Sequence, residues 1–268
     1  MNAWKRLLEP EIAGFIEQNE GGDLGSLALK PRDGWPWMDV MDQIKARGKA
    51  KAKLPAWHGK AKVIFPPSAL MEQASSEAAA LYKASLVSGD AFADLTAGAG
   101  ADFWAFLKNF KKGYAVERDD WAAQLLDHNL KILGCENFEI KNGDAEEIIN
   151  ELPALDFIYI DPQRRSAAKK GKFMLEDCEP NILELSPLLR SKASTVMLKT
   201  SPVLDINAAV KALQNIAEIH VVEWRGECRE ILFIMRNDAS DAAHAVINAV
   251  SIDDQGKIIK KLSFTQIG

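Results

Sequence analysis

The chain has 268 residues, 47% hydrophobic and 26% charged, with a formal net charge of −5, which is length enough for one or two domains with a sizeable core. The acidic balance argues against a nucleic-acid binder without closing the question, because a local basic patch can act alone. No run approaches roughly 18 apolar residues, which excludes a membrane-spanning helix.

"MNAWKRLLEPEIAGF" sets acids and a proline where a signal peptide needs an apolar core, so the expected location is the cytoplasm. Cys135, Cys178 and Cys228 are far apart and odd in number. His58, His128, His220 and His244 show no HxH or HExxH spacing. Reduced thiols and no metal site are expected.

Residues 1–65 read as a small helical amino-terminal domain. Leu7, Leu8, Ile12, Phe15 and Ile16 fall at helical spacing, and "WMDVMDQIKARGKAKAK" repeats the pattern before dissolving into Lys and Ala. Trp35 and Trp37 are expected to anchor this domain. "PAWHGKAKVIFPP", with prolines at both ends, marks the joint to the main domain. The stretch from Arg47 to Lys62 holds one arginine, five lysines and His58 with no acid. Read functionally it tracks phosphates through Lys49, Lys51 and Lys53, with Trp57 free to stack on a base. Read structurally it is the exposed face of a helix and a linker.

Residues 66–240 form the expected main domain. "SALMEQASSEAAALYKASLV" leads in as a helix. From Asp90 the chain alternates: "AFADL", "GYAVE", "NFEIKNG", "LDFIYID" and "TVMLKTS" read as strands, each followed by a helical stretch. "EIHVVEWRG" and "REILFIMRN" then follow as two consecutive strands. This pattern predicts an α/β fold with a doubly wound, mostly parallel, seven-stranded sheet closed by an antiparallel hairpin. The tail, residues 241–268, reads as two strands around an Asp-Asp-Gln-Gly turn, extending the sheet or opening another module.

Ligands of doubly wound sheets bind at the carboxyl ends of the strands. In "DLTAGAGAD" Gly98 and Gly100 let the backbone turn tightly against a ligand. A dinucleotide fingerprint would need glycines where Thr96 and Phe103 stand. Asp94 precedes the glycines, repels a pyrophosphate and attracts a cation. S-adenosylmethionine, with a sulfonium, an ammonium and no phosphate, suits Asp94, Thr96, Ala97, Gly98 and Gly100 better than NAD does. Glu117, 23 residues after Asp94, ends the second strand beside Arg118, where a carboxylate can accept both ribose hydroxyls. Asp144, followed by Ala145, ends the third strand and is placed to meet the adenine or to cap the next helix. Gln73, Ser75 and Ser76 in "EQASSE" would lid the methionine end; either serine is alternatively a helix cap.

"EQASSEAAALYK", "DLTAGAG", "DPQRR", "LKTSPVLDI" and "ECRE" together resemble the class I (Rossmann-like) S-adenosylmethionine-dependent methyltransferases. The narrower resemblance is to a bacterial family whose longer members carry a THUMP-like domain after the catalytic part. The likeness covers Gln73 to about Arg236. It implies S-adenosylmethionine as cofactor, a further module beyond Gly268, and contact with RNA.

The resemblance makes "DPQRR" the catalytic loop. Nucleic-acid methyltransferases of the amine class carry (N/D)PP(Y/F) there, orienting an exocyclic amine toward the methyl group. Asp161 and Pro162 keep the first half of that device, while Gln163 and Arg164 replace the second half. Asp161 is the expected orienting group, and DPPR-type loops that methylate ring positions leave nitrogen or carbon open. Lys199 faces the same cleft or is a solvated strand-end lysine. Arg165, Lys169 and Lys170 continue a basic run that holds substrate phosphates or is simply a solvated loop. Cys178 lacks the context of a nucleophilic thiol, and Glu227, Cys228 and Glu230 fit ordinary turn chemistry. The reading is methylation of an RNA base. A methyltransferase of small molecules or proteins, and a non-catalytic RNA-binding protein with a degenerate fold, stand as alternatives.

Overall fold

β1 (Gly89–Asp94), β2 (Phe110–Glu117), β3 (Phe138–Asn142) and β4 (Leu155–Ile160) are the first four strands in the computed structural model, which describes residues 3–164, 175–239 and 245–265. β5 (Gln163–Arg164) and β6 (Cys178–Glu179) form a separate two-stranded ribbon. β7 (Ala193–Thr200), β8 (Ile216–Trp224), β9 (Glu227–Arg236), β10 (Val246–Ile252) and β11 (Ile258–Thr265) complete the set. The main sheet runs β11-β10-β8-β9-β7-β4-β1-β2-β3. β1, β2, β3, β4 and β7 are mutually parallel, β9 is antiparallel to both its neighbours, and β10 is parallel to β8. The chain leaves β1 toward β2 and β3, then returns to build β4 on the other side. Strand order therefore reverses between β1 and β4, and the crevice at their carboxyl ends is where such sheets bind ligands.

Apolar residues at consecutive strand positions reflect a sheet covered on both faces. Phe92, Phe157 and Tyr159 join one buried cluster with Phe103 and Phe106 of α7 (Ala101–Phe106). Their neighbours Ala93, Ile158 and Ile160 join the opposite cluster with Ile149 of α9 (Ala145–Glu151) and Leu185 of α10 (Ile182–Lys192). α11 (Ile206–Ala212) lies between β7 and β8 in the chain and adds Ala209 to the second cluster.

The amino-terminal region is helical as expected, with a 3-10 turn (Ala3–Leu8) and α1 (Pro10–Gln18), α2 (Leu24–Ala28), α3 (Trp37–Lys53) and α4 (Pro55–His58). Trp4, Leu7, Ile12, Ile16, Val40 and Ile44 pack against Ile64 and against Leu125 of α8 (Asp120–Ile132). The joint is held on both sides by side-chain amides. Gln43 exchanges two 2.8 Å hydrogen bonds with the backbone of Phe65, and Asn129 makes the same exchange with Ile64 at 2.8 and 3.1 Å. Each buried peptide group is thereby paired, as burial demands. α5 (Ser68–Gln73) and α6 (Glu77–Ser85) follow.

Arg47, Lys49, Lys53 and His58 of the basic stretch are taken up by partners within the fold, while Lys51, Lys60 and Lys62 are exposed. Arg47 is buried and lies 3.1 Å from Glu20, whose other oxygen lies 2.6 Å from His58. Lys49 pairs with Glu72. Lys53 donates to the carbonyls of Met71 and Glu72 at 2.8 and 2.7 Å, capping α5. Trp57 is 0% exposed and meets Trp104 edge-on at 6.1 Å, so it is a core residue and not a stacking platform. Of the three lysines in this stretch expected to meet RNA, Lys51 alone is exposed and carries no partner among the described residues.

The two tail strands extend the expected seven to nine. β10 pairs with β8 from Val246 opposite Glu218 to Ile252 opposite Trp224, and β11 forms the exposed edge. The turn between them sits on α6. A Cβ on Gly256, whose φ is +73°, would fall 2.5 Å from the Ala78 carbonyl oxygen and 2.7 Å from the Tyr82 nitrogen. Gly256→Val is expected to cost about 2–4 kcal/mol through overpacking and a left-handed backbone. A melting temperature unchanged from wild type would show that the hairpin is not part of the cooperative core.

Candidate active site

A cleft of about 1360 Å³ opens over the carboxyl ends of β1, β2, β4 and β7. Its glycine loop is shaped by two positive φ angles, 50° at Gly98 and 84° at Gly100. Gly100 is the N-cap of α7, and a Cβ there would fall 2.1 Å from Leu126 Cδ1. The Gly98 N–H donates to Glu117 Oε2 at 2.9 Å, and the Asp119 N–H donates to Glu117 Oε1 at 2.9 Å. Glu117 thus braces the loop from the end of β2, and each of its oxygens keeps a lone pair for a further donor.

Asp94 lies at the cleft floor, 1% exposed. It accepts the Thr96 N–H at 3.0 Å, and the Thr96 hydroxyl accepts the Asp161 N–H at 2.7 Å, so Thr96 joins the ends of β1 and β4. Burial drives the Asp94 carboxyl well above the usual carboxylate range. The Thr96 amide opposes this, and the charges of Asp102, Asp161 and Glu117 add to it. No lysine or arginine pairs with Asp94 among the described residues.

Lys199 reaches across from β7 and pairs with Asp161 Oδ2. Burial lowers the Lys199 ammonium, but Asp161, Glu230 and Asp102 outweigh it and raise the group above its ordinary value. Lys199 is therefore a fixed cation that holds Asp161, not a solvated strand-end lysine. Pro162 and Gln163 follow in the cleft wall, and the β5–β6 ribbon sets Gln163 opposite Glu179 and Arg164 opposite Cys178. Cys178 is buried and outside the cleft wall. Arg118 bridges β2 to this ribbon, donating to Glu179 Oε1 at 2.7 Å.

The same cleft gathers Gln73, Ser75, Ala97, Asp144 and Ala145. Asp144 occupies the N-cap position of α9, yet its side chain makes no capping bond. Ser76 does not face the cleft: its hydroxyl caps α6, accepting the Ala79 N–H at 3.2 Å. Arg165, Lys169 and Lys170 lie outside the described residues. No cluster of His, Cys, Asp and Glu suited to a metal occurs among the described residues, and no described helix is long and apolar enough to cross a membrane.

Sequence reasoning missed a buried group behind the loop: Lys83, Asp102, Tyr159 and Glu230. Glu230 is 2% exposed rather than a turn residue, and it pairs with Lys83 at 2.7 Å. A lone lysine among Ala78, Ala79, Ala80, Tyr82 and Ala84, all buried, was the signal that could have found it.

The strand order, with its ligand crevice at the β1–β4 reversal, is that of the class I methyltransferase fold. Residues 72–219 match the family described as "Conserved hypothetical protein 95", and the chain belongs to that family of class I S-adenosylmethionine-dependent methyltransferases. A Sulfolobus acidocaldarius protein named "Probable cobalt-precorrin-6B C(15)-methyltransferase (decarboxylating)" is 32% identical over 143 residues, 52% of this chain and 67% of its own. The solved structure described as "putative methyltransferase from Porphyromonas gingivalis W83" is 26% identical, with a TM-score of 0.83. That match covers 99% of this chain and 66% of that one, so the chain spans slightly less than two thirds of that protein's length. An rRNA methylase from Streptococcus thermophilus, 14% identical with a TM-score of 0.44 over 59% of this chain and 92% of its own, is too slight a likeness to bear on the substrate.

The raised Asp94 carboxyl has a consequence for stability. As pH climbs past the ordinary carboxylate range, the unfolded chain releases this proton while the ligand-free fold keeps it, so the fold loses stability until Asp94 itself ionises. Asp94→Asn is expected to melt higher than wild type at pH 7, by about 2–4 °C for each kcal/mol relieved. The difference should vanish at a pH below the ordinary carboxylate range. A wild type at least as stable at pH 7 would mean that Asp94 has found a cation.

Proposed function

We propose that this chain is an S-adenosylmethionine-dependent methyltransferase whose acceptor is a base of RNA. The observation that carries the cofactor half is Asp94, a buried carboxyl at the cleft floor with no cation beside it among the described residues. A ligand that brings positive charge and no phosphate relieves that floor; a pyrophosphate would worsen it. In this reading Asp94 meets the cationic methionine end. Glu117 accepts the ribose hydroxyls, and Asp144 with Ala145 lies beside the adenine. Bound there, the cofactor supplies a methyl group on a sulfonium, so the protein's work is orientation and exclusion of water.

Asp161 orients the acceptor. Lys199 fixes its Oδ2, and the other oxygen has no donor among the described residues, leaving it free to accept a hydrogen from the acceptor and take the proton after transfer. The RNA half rests on the Asp161-Pro162-Gln163-Arg164 loop and its likeness to nucleic-acid methyltransferases. A base in a duplex would have to be flipped or presented single-stranded to reach it. A small-molecule acceptor is the second reading, favoured by the inward use of Lys49, Lys53 and Trp57. Such an acceptor is also what the Sulfolobus relative's name gives for that protein.

S-adenosylmethionine is expected to raise the melting temperature where NAD does not; a larger shift with NAD overturns the cofactor. Asp161→Ala should keep S-adenosylmethionine affinity within a few-fold of wild type and lower single-turnover methylation of RNA by about 10²–10⁴. Nucleoside mass spectrometry of RNA from a deletion strain should show one methylated nucleoside missing. An unchanged nucleoside profile moves the acceptor to the small-molecule reading.

A further inference from the structure

Lys83 is 0% exposed. Its Nζ lies 2.7 Å from both carboxylate oxygens of Glu230 on β9, 3.1 Å from Asp102 Oδ1 on α7, and 3.1 Å from Ser75 Oγ before α6. Asp102 Oδ2 accepts the Ser75 hydroxyl at 2.7 Å and the Tyr159 hydroxyl of β4 at 2.7 Å. One ammonium and two carboxylates are thus withdrawn from water, an arrangement that apolar side chains of the same volume often match or exceed in stability. Filling the core is therefore a poor account of it. Two members, Ser75 and Asp102, also stand in the cleft wall, and Asp102 is the second residue of the helix that the glycine loop opens.

We propose that the Lys83–Asp102–Glu230 cluster is a positioning device for the cleft, holding Ser75 and the first turn of α7 in the arrangement a ligand meets. A wall fixed in advance needs no ordering when the ligand arrives. The cluster also sets the polarity of Ser75. Burial pushes the Asp102 carboxyl up, but Lys83, Lys199 and the two hydroxyl donors outweigh it and hold the group below the usual range. An ionised Asp102 can only accept, so Ser75 gives it the one hydrogen it has, accepts one N–H from Lys83, and keeps one lone pair for a ligand. Ser75 then faces a ligand as an acceptor, which suits an ammonium and not a carboxylate. That last step rests on reading the cleft as the S-adenosylmethionine site; the positioning does not.

Hydrogen exchange of the ligand-free protein tests the positioning directly. In Lys83→Met and Asp102→Asn, amides 98–104 should exchange at least tenfold faster than in wild type, with β8 and β10 unchanged. Equal acceleration in both regions, or none in either, overturns the proposal in favour of a purely structural cluster. Asp102→Asn keeps an acceptor for both hydroxyls and serves alone if Lys83→Met does not fold. Calorimetric titration with S-adenosylmethionine then tests the route through Ser75. Ser75→Ala and Asp102→Asn should each raise Kd about tenfold, and the double variant should be no worse than the weaker-binding single one. Effects that multiply overturn it. A wild type that binds no S-adenosylmethionine refutes the cofactor reading instead, and the exchange experiment still decides the positioning.

Discussion

The arrangement rests on a surplus of carboxyl groups over cations at the point where strand order reverses. Parallel pairing of β1 with β4 brings Asp94 and Asp161 to neighbouring strand ends, and Thr96 bonds to both. Asp102 and Glu230 lie behind them, and among the described residues only Lys83 and Lys199 answer these four acids. Each lysine is committed by short contacts, so the remaining deficit falls on Asp94, the acid without a cation. The floor is held ready for positive charge by the same contacts that join β1, β4, α6 and α7. Selectivity and architecture are in this sense one set of bonds.

The amino-terminal helices take part in the site. Because Gln43 and Asn129 fix the segment from Ile64 to Phe65, Pro66, Pro67 and Leu70 form one side of the cleft mouth. Leu70 stays 46% exposed there, and Val203 in the loop after β7 stays 76% exposed. Exposed apolar side chains lining a cleft with an acidic floor make two environments in one cavity. A ligand with a charged part and an apolar part is sorted by them without moving the backbone.

Much of this was legible in the sequence. Gly98 and Gly100 announced the loop because their positive φ has few other occupants, and consecutive apolar strand residues announced a sheet covered on both faces. Asp94, Glu117, Asp144 and Asp161 could be placed because each lies at or within two residues past a strand end, and strand ends are set by local pattern. The inward turn of Lys49 and Lys53 was not legible. It depends on where Glu72 and the α5 carbonyls arrive in space, which spacing along the chain does not encode. The union of tail and sheet was hidden for the same kind of reason: Gly256 reads as a turn residue until α6 is beneath it. Glu230, next to the β8–β9 turn in sequence, became a core residue because Lys83 reaches it across 147 positions.

Charge of both signs lines the cleft. Asp94, Glu117 and Asp144 lie at or just past the ends of β1, β2 and β3, with Arg118 beside them, while Lys199 and Arg229 belong to β7 and β9. Lys53 stands near Lys199 and Arg229, pinned to the last carbonyls of α5, and burial together with those two cations lowers its ammonium to about 8. These cations are themselves answered: Arg229 lies 2.8 Å from Glu227, Lys199 pairs with Asp161, and nearby acids hold the Lys199 ammonium above its ordinary value. The reacting centre in this reading is Asp161 with Lys199, where a proton shed after transfer finds a carboxylate already held in place.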